Sequence, residues 1–481
     1  MHAAGVFERA VRRMGDRPFA FDRSTALTYE EADRRTDAVC ADLRRRGVSP
    51  GDPVAFCAAD SVDLLVAIIA TWKAGALPSL IDPRTKADSL SYFVEDIGAT
   101  LTIAEPEQRD RLSGAGADHV VDLKEMGNDV ASVDARHDEA APLFLSYTSG
   151  TTGMPKGCIL SSGPVTVGTA CIADRLGLER SDTLLVSTPT ASSFQLVAGL
   201  LPALHVGATV GLAAGSTTDE IWAMADEWKA TVLVAYPLTL ADMVNSAGSS
   251  SGPPFRLALS GGSPLAPRIK RDYKDILGIP LLESYGQSEL GGFMALGGPH
   301  DGSQSTRGYV GRPLPDRLAL ICDEDGNELP PGDVGEVMVP EGYFAGYKNK
   351  AEATADVLAG GLLRCGDLAV ADDDGYIKVL GRTRERASAE RRGGFLRDVE
   401  DAYYDHPDVL HAAVVESRSD GRIRSFVELL PGRQRNGTEL TSFAAERVSS
   451  GLRPEQTVVL DAMPRTFSGK ADRLRLAESG A

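Results

Sequence analysis

Aromatic residues make up only 6% of this chain, and histidine occurs seven times. A stacking platform for single-stranded nucleic acid, which interleaves aromatics with cations, is therefore not supplied by the composition. Positive charge is also in deficit. Lys and Arg number 50 against 68 Asp and Glu, a formal charge of −18, so nucleic acid and anionic membranes are poor partners. The six cysteines, Cys40, Cys57, Cys158, Cys171, Cys322 and Cys365, are scattered without a Cys-x-x-Cys pair. That spacing argues against a disulfide framework or a zinc site and for reduced thiols in a cytosol. No signal-peptide core is visible in MHAAGVFERAVRRMG. No run reads as a membrane span: the most apolar long stretch, Val197–Gly215, carries Pro202, His205 and four glycines, and reads as a buried helix followed by a strand. A Gly-Lys-Ser/Thr triplet opening a helix is missing too, which excludes a Walker-type phosphate loop.

What is present is ordinary globular material: 481 residues, 43% hydrophobic and 25% charged, enough for two or more domains. In the first part, helical patterns (Tyr29–Arg46, Val62–Trp72) alternate with short apolar runs that end at Gly, Pro or Ser. Such runs include Pro53–Cys57, Thr100–Ala104, Leu184–Ser187, Ala208–Leu212, Thr231–Ala235, Leu257–Ser260 and Leu281–Tyr285. That texture predicts parallel-type sheets flanked by helices. Beyond Gly308, the runs Leu318–Cys322, Glu336–Val339 and Tyr376–Leu380, with Asp/Gly turns between them, predict a small antiparallel, barrel-like part. A hinge at Gly381–Arg384 divides a large domain, residues 1–381, from a small α+β domain, residues 382–481. In the latter, helices at Leu396–Tyr404 and Leu440–Val448 accompany strands at Ala412–Glu416, Arg424–Leu430 and Thr457–Leu460.

The most informative stretch is Leu143–Gly157, LFLSYTSGTTGMPKG. Glycines let backbone N–H groups converge, Ser and Thr hydroxyls add donors, and a lysine supplies charge, a combination suited to a polyphosphate. Ser260-Gly261-Gly262-Ser263-Pro264-Leu265, Tyr285-Gly286-Gln287-Ser288-Glu289, Arg364-Cys365-Gly366-Asp367, Gly381-Arg382 and Pro464-Arg465-Thr466-Phe467-Ser468-Gly469-Lys470 follow in that order. Together they resemble the signatures of the adenylate-forming superfamily: acyl-CoA synthetases, aryl-acid ligases, peptide-synthetase adenylation domains and luciferases. The resemblance implies ATP and Mg²⁺. It places Thr148, Ser149, Gly150, Thr151, Thr152, Gly153 and Lys156 on the β- and γ-phosphates. Gly262, Ser263, Pro264, Tyr285 and Gly286 fall at the adenine, and Asp367 and Arg382 at the ribose. It gives Glu289 the metal, a hard cation wanting carboxylate oxygen, and Ser288 the α-phosphate. Lys470 becomes the catalytic lysine of a mobile C-terminal domain. Ser192, Ser193, Phe194, Tyr236 and Gly261 are the implied acid pocket. The acceptor implied is a thiol, of CoA or of a carrier protein.

The sequence departs from the family in two places. Pro189-Thr190-Ala191-Ser192 stands where Pro-x-Phe-His is common, which implies an altered or more open pocket entry. No aspartate is placed to anchor an α-amino group; Phe194 lies near that position, so an aryl or alkyl acid is expected. After Gly381-Arg382 the run TRERASAERRGG carries arginine where the family has its hinge residue and its loop glycine. Six arginines (382, 384, 386, 391, 392 and 397) read either as a solvated linker or as a docking patch for the phosphates of CoA or an acidic carrier. The expected activity is conversion of a small carboxylic acid to acyl-AMP, then transfer to the thiol. An amine acceptor, an unusual acid such as nitrite, or a non-catalytic nucleotide-binding relative are the alternatives.

Overall fold

The computed structural model describes all residues except 128–132, 134–137, 139–140, 149–153, 247–253, 302–307, 418–420, 467–469 and 480–481, and except the side chains of residues 385, 387, 389 and 391. Among the described residues the large domain is built on two big sheets. In one, the strands Leu281–Gln287, Leu257–Ser260, Val232–Ala235, Thr183–Val186, Thr209–Leu212 and Pro18–Phe21 run parallel in that spatial order. Antiparallel edges are added by Gly292–Leu296 and Ala26–Thr28. The second sheet holds Pro53–Cys57 between Leu77–Leu80 and Leu101–Ala104, all parallel. It continues through Pro142–Tyr147 into the hairpin partner Gly157–Ser161. Both sheets are buried on two faces, which is why their strands are short continuous apolar runs and not alternating ones.

One large core joins the sheets, with Phe56, Trp72, Leu143, Val186, Leu201 and Val234 in the same cluster. The helix Val62–Lys73 is buried along nearly its whole length. Trp72 donates its indole N–H to Leu143 O at 2.7 Å, and Lys73, 2% exposed, pairs with Asp33 and Asp37 at 2.7 Å each. The partner helix Tyr29–Arg45 starts at a reciprocal cap between Thr28 and Glu31. Such a cap is worth about 1 kcal/mol, and the Ser/Thr-x-x-Glu pattern announces it.

The barrel-like part is antiparallel as expected: Leu320–Cys322, Gly335–Pro340, Leu362–Ala371 and Ile377–Arg382 pair in sequence. The segment read as a hinge, Gly381–Arg384, spans a strand end and a 3-10 turn. Strand Ile377–Arg382 runs straight into a 3-10 turn, Thr383–Glu385, and a helix, Arg386–Arg392. The small domain follows with helix Leu396–Tyr404, the antiparallel pair Val409–Glu416 and Ile423–Leu429, and Gln456–Leu460 parallel to the latter. A last helix, Arg473–Ser479, lies beyond the elements read from the sequence.

Candidate active site

The site is assembled where strand ends of the first sheet face the barrel-like part and the small domain. Strand Leu257–Ser260 ends in the Gly261–Pro264 turn, and Gly262 takes φ +74°, a left-handed conformation that costs glycine little. Strand Leu281–Gln287 delivers Tyr285, whose hydroxyl donates to Asp367 Oδ2 at 2.7 Å. Gln287 Nε2 donates to Cys365 O at 3.1 Å. Asp367 and Arg382 are direct cross-strand partners, and Arg382 Nη1 lies 3.2 Å from Asp367 Oδ1. Burial drives the Tyr285 phenol well above its ordinary pKa, with the Asp367 charge second, so it stays a donor.

Glu289 sits in a 3-10 turn, Ser288–Leu290, immediately after that strand. Tyr347, from the neighbouring strand Phe344–Tyr347, donates to Glu289 Oε1 at 2.6 Å. Lys156 Nζ lies 4.1 Å from the centre of the Tyr347 ring. Thr148 and Lys156 tie the base of the Ser/Thr/Gly loop: Thr148 N–H donates to Lys156 O at 3.0 Å and Lys156 N–H to Thr148 Oγ1 at 3.2 Å. The loop is a hairpin connection, with Tyr147 opposite Gly157. Ser149, Gly150, Thr151, Thr152 and Gly153 fall outside the described residues.

The acid end lies on the same face. Phe194 is packed against Tyr236 (5.6 Å between ring centres) and Phe293 (5.4 Å). Pairs of this kind add about 0.5–1.5 kcal/mol each beyond their burial. A Cβ on Gly261 would meet Ser284 Oγ at 2.2 Å and the Phe194 ring at 2.4 Å, so this floor admits only glycine. Ser192 Oγ and Tyr236 OH are hydrogen-bonded at 2.7 Å. This hydroxyl pair lies at the entry that the sequence marks as altered or more open. Ser193 opens the short helix Ser193–Gln195. Thr190 N–H donates to Asp60 Oδ1 at 2.6 Å, and its hydroxyl bonds the same oxygen.

Lys470 reaches this site from the small domain. Its Cε and Nζ lie 3.4 and 3.6 Å from the Cβ position of Gly262, and Nζ is 5.9 Å from the Tyr236 ring centre. Although the residue is partly exposed, its ammonium lies deep in the cleft. Burial, then the Arg382 charge, lowers its pKa to about 8.

The small domain is held by contacts that sequence reasoning missed. Asp242, on helix Pro237–Ser246, accepts from Arg465 Nη2 at 2.7 Å and bonds His411 Nε2 at 2.9 Å. Burial opposes the Asp242 charge, but His411 and Arg465 together leave its pKa lowered. Arg268 donates to the carbonyls of Tyr404 (3.0 Å) and His406 (2.6 Å). Arg397 Nη2 donates to Leu265 O at 3.3 Å, next to the buried Lys270–Glu283 pair at 2.6 Å. Only Arg465, inside the lysine loop, and Arg397, in the arginine run, carried a signal.

Arg382, Arg386, Arg392 and Arg397 of the arginine run are engaged within the structure. Arg392 pairs with Glu416 and donates to Gly421 O (2.7 Å) and Gly451 O (3.2 Å); Arg386 pairs with Glu390; Arg382 and Arg397 are engaged as above. These side chains tie the small domain together and to its neighbour.

Comparisons with known proteins agree with this geometry. Residues 7–347 match the AMP-binding enzyme family and residues 398–470 match the AMP-binding enzyme C-terminal domain. A feruloyl-CoA synthase of Amycolatopsis sp is 28% identical over 464 residues, covering 93% of this chain and 92% of that protein. A fatty acid–[acyl-carrier-protein] ligase, ScoC, of Streptomyces coeruleorubidus is 26% identical over 494 residues, covering 96% and 93%. In fold, the chain is similar to the anthranilate CoA ligase AuaEII in complex with anthranoyl-AMP, with TM-score 0.90, 21% identity and coverage of 100% and 97%. The chain belongs to the AMP-binding enzyme family of adenylate-forming ligases.

Proposed function

We propose that this enzyme joins a small carboxylic acid to AMP and then passes the acyl group to a thiol. In the first step a carboxylate oxygen attacks the α-phosphorus of ATP, and the bond to the β-phosphate's bridging oxygen breaks, releasing pyrophosphate. In the second step a thiolate attacks the acyl carbon, AMP leaves, and the thiol proton goes to solvent. The observation that carries this reading is Lys470: an ammonium from the small domain lies beside Gly262 and Tyr236, between the acid pocket and the Tyr285–Asp367–Arg382 group. A cation fixed there offsets the charge that gathers on the α-phosphate and carboxylate.

Asp367 would accept both ribose hydroxyls, and Arg382 would steady that carboxylate. Ser288 would face the α-phosphate, and Thr148 and Lys156 would anchor the phosphate loop. The residues fit a magnesium ion: Glu289 Oε1 is fixed by Tyr347, and its Oε2 makes no hydrogen bond among the described residues, so one carboxylate is oriented and ready. Magnesium bound through one carboxylate and substrate phosphates neutralises the triphosphate. The relatives named above include both a CoA synthase and a carrier-protein ligase, which supports a thiol of CoA or of a carrier protein as the acceptor. All six thiols are free, as in a cytosolic setting. The test is acid-dependent exchange of labelled pyrophosphate into ATP over aryl and short-chain acids, followed by mass analysis of products with CoA and with a phosphopantetheinylated carrier. Release of ADP in place of AMP would sink the proposal.

A further inference from the structure

Two buried polar side chains beside the acid pocket have no partner. Gln195 is 0% exposed, and neither its Oε1 nor its Nε2 is hydrogen-bonded among the described residues. The Thr188 hydroxyl, on a residue 1% exposed, is likewise alone. Buried amides and hydroxyls are nearly always satisfied, and leaving them unpaired is costly.

Their position follows from the alternation of the sheet. Leu184, Val186, Val232, Val234, Leu257 and Leu259 share one core with Phe194 and Tyr236, whereas Leu185, Leu233 and Ala258 belong to the core on the opposite face. Gly199 lies so close to this first face that a Cβ there would come within 2.8 Å of Val186 Cγ2. Gln195 is one turn earlier on the same helical stretch, hence on the same side of it. Thr188 lies in a bend two residues past the carboxyl end of strand Thr183–Val186. Both groups are thereby brought to the carboxyl end of the parallel strands, beside Phe194, where open α/β sheets bind ligands.

We infer that the acid taken by this enzyme carries, away from its carboxylate, an uncharged hydrogen-bonding group: a hydroxyl or carboxamide, which donates and accepts, or an aryl amine, which donates. The inference rests on the adenylation reading above. An amide and a hydroxyl both donate and accept, so they complement a group of the same kind. Neither Gln195 nor Thr188 is paired with a cation, so a second carboxylate there would be desolvated without a counter-charge. A plain hydrocarbon acid would leave both orphaned. Sites built to bond a substrate hydroxyl or N–H discriminate strongly against the analogue that lacks it.

The test compares benzoate and propionate with their hydroxyl- and carbamoyl-substituted counterparts and with the aminobenzoates, by pyrophosphate exchange. The best substituted acid is expected to exceed its parent in kcat/KM by about tenfold or more. Gln195→Leu and Thr188→Val should each pull that ratio toward one. Equal use of parent and substituted acids, or a ratio kept by both variants, overturns the inference. A second arm needs no acid: if the groups are orphaned in the free enzyme, both variants hold or raise Tm. A drop of more than about 5 °C in both would tie them into the fold and equally overturn it. Absence of exchange with every acid counts against the adenylation reading, and the melting arm still decides this one.

Discussion

The nucleotide corner and the acid corner of the cleft are built by opposite rules. Around Tyr285, Asp367, Arg382, Gln287, Glu289 and Tyr347 the polar groups already hold one another, so the side chains stand oriented before any ligand arrives. At the acid end Gln195 and Thr188 have no hydrogen-bond partner among the described residues, while Phe194, Tyr236 and Phe293 crowd the space. Preorganisation favours the charge that develops in every turnover, whichever acid is used. Unfilled hydrogen-bonding capacity favours one class of acid over another. The first corner therefore governs rate and the second governs choice, and variants in each should fail differently.

The largest effect should come from the side chain standing between the two. Lys470→Ala is expected to slow pyrophosphate exchange by about a hundredfold or more, the scale for one preorganised donor, with ATP binding kept. Exchange near the wild-type rate would remove Lys470 from the chemistry. Glu289→Gln should come next. It keeps the Tyr347 contact's geometry but removes the carboxylate charge that a hard cation prefers, so the Mg²⁺ requirement should rise with turnover depressed. An unchanged Mg²⁺ titration would break the comparison at its nucleotide end.

Asp242→Ala should have a smaller and selective effect. Asp242 bonds Arg465, in the same loop as Lys470, so its loss frees the small domain from this arrangement. Adenylation is expected to fall by about tenfold, the scale of a few misplaced tenths of an ångström. Thiol transfer from preformed adenylate is expected to be spared, because releasing the small domain from one face leaves it free to present another. Equal loss in both steps would make Asp242 a packing residue. The mildest test is pH. With Lys470 lowered to about 8 in the free enzyme, the ammonium is lost as pH rises through that value, so kcat/KM for ATP should decline above about pH 8. Lys470→Arg should lose that limb while keeping a cation.

Much of this was legible from the residues because the local signals were strong. Pro53–Cys57, Leu257–Ser260 and Leu396–Tyr404 are short apolar or amphipathic segments bounded by clear punctuation, and they form as expected. The ordered signatures carried the nucleotide corner, and Asp367 and Arg382 prove to be cross-strand partners. Tyr347, Asp242, Gln195 and Thr188 were not found. Each matters through a neighbour distant in sequence, such as Tyr347 with Glu289 or Asp242 with Arg465, and no periodicity reports such a meeting. The segment Arg386–Arg392 looked like a charged loop running into Gly393 and Gly394. It is a helix because Arg392 finds Glu416 and the carbonyls of Gly421 and Gly451, turns far along the chain.

The buried thiols have a further consequence. An acyl-adenylate is a strong electrophile, and the proposed acceptor is itself a thiol, so an enzyme of this kind risks acylating itself. Burial pushes every one of the six cysteines upward in pKa, including Cys365, two residues from Asp367, and Cys158, which follows the phosphate-loop lysine by two. Thiols kept protonated are poor nucleophiles and poor partners for disulfide exchange. The chain can thus hold a reactive mixed anhydride near its own sulfur with little tendency to acylate itself.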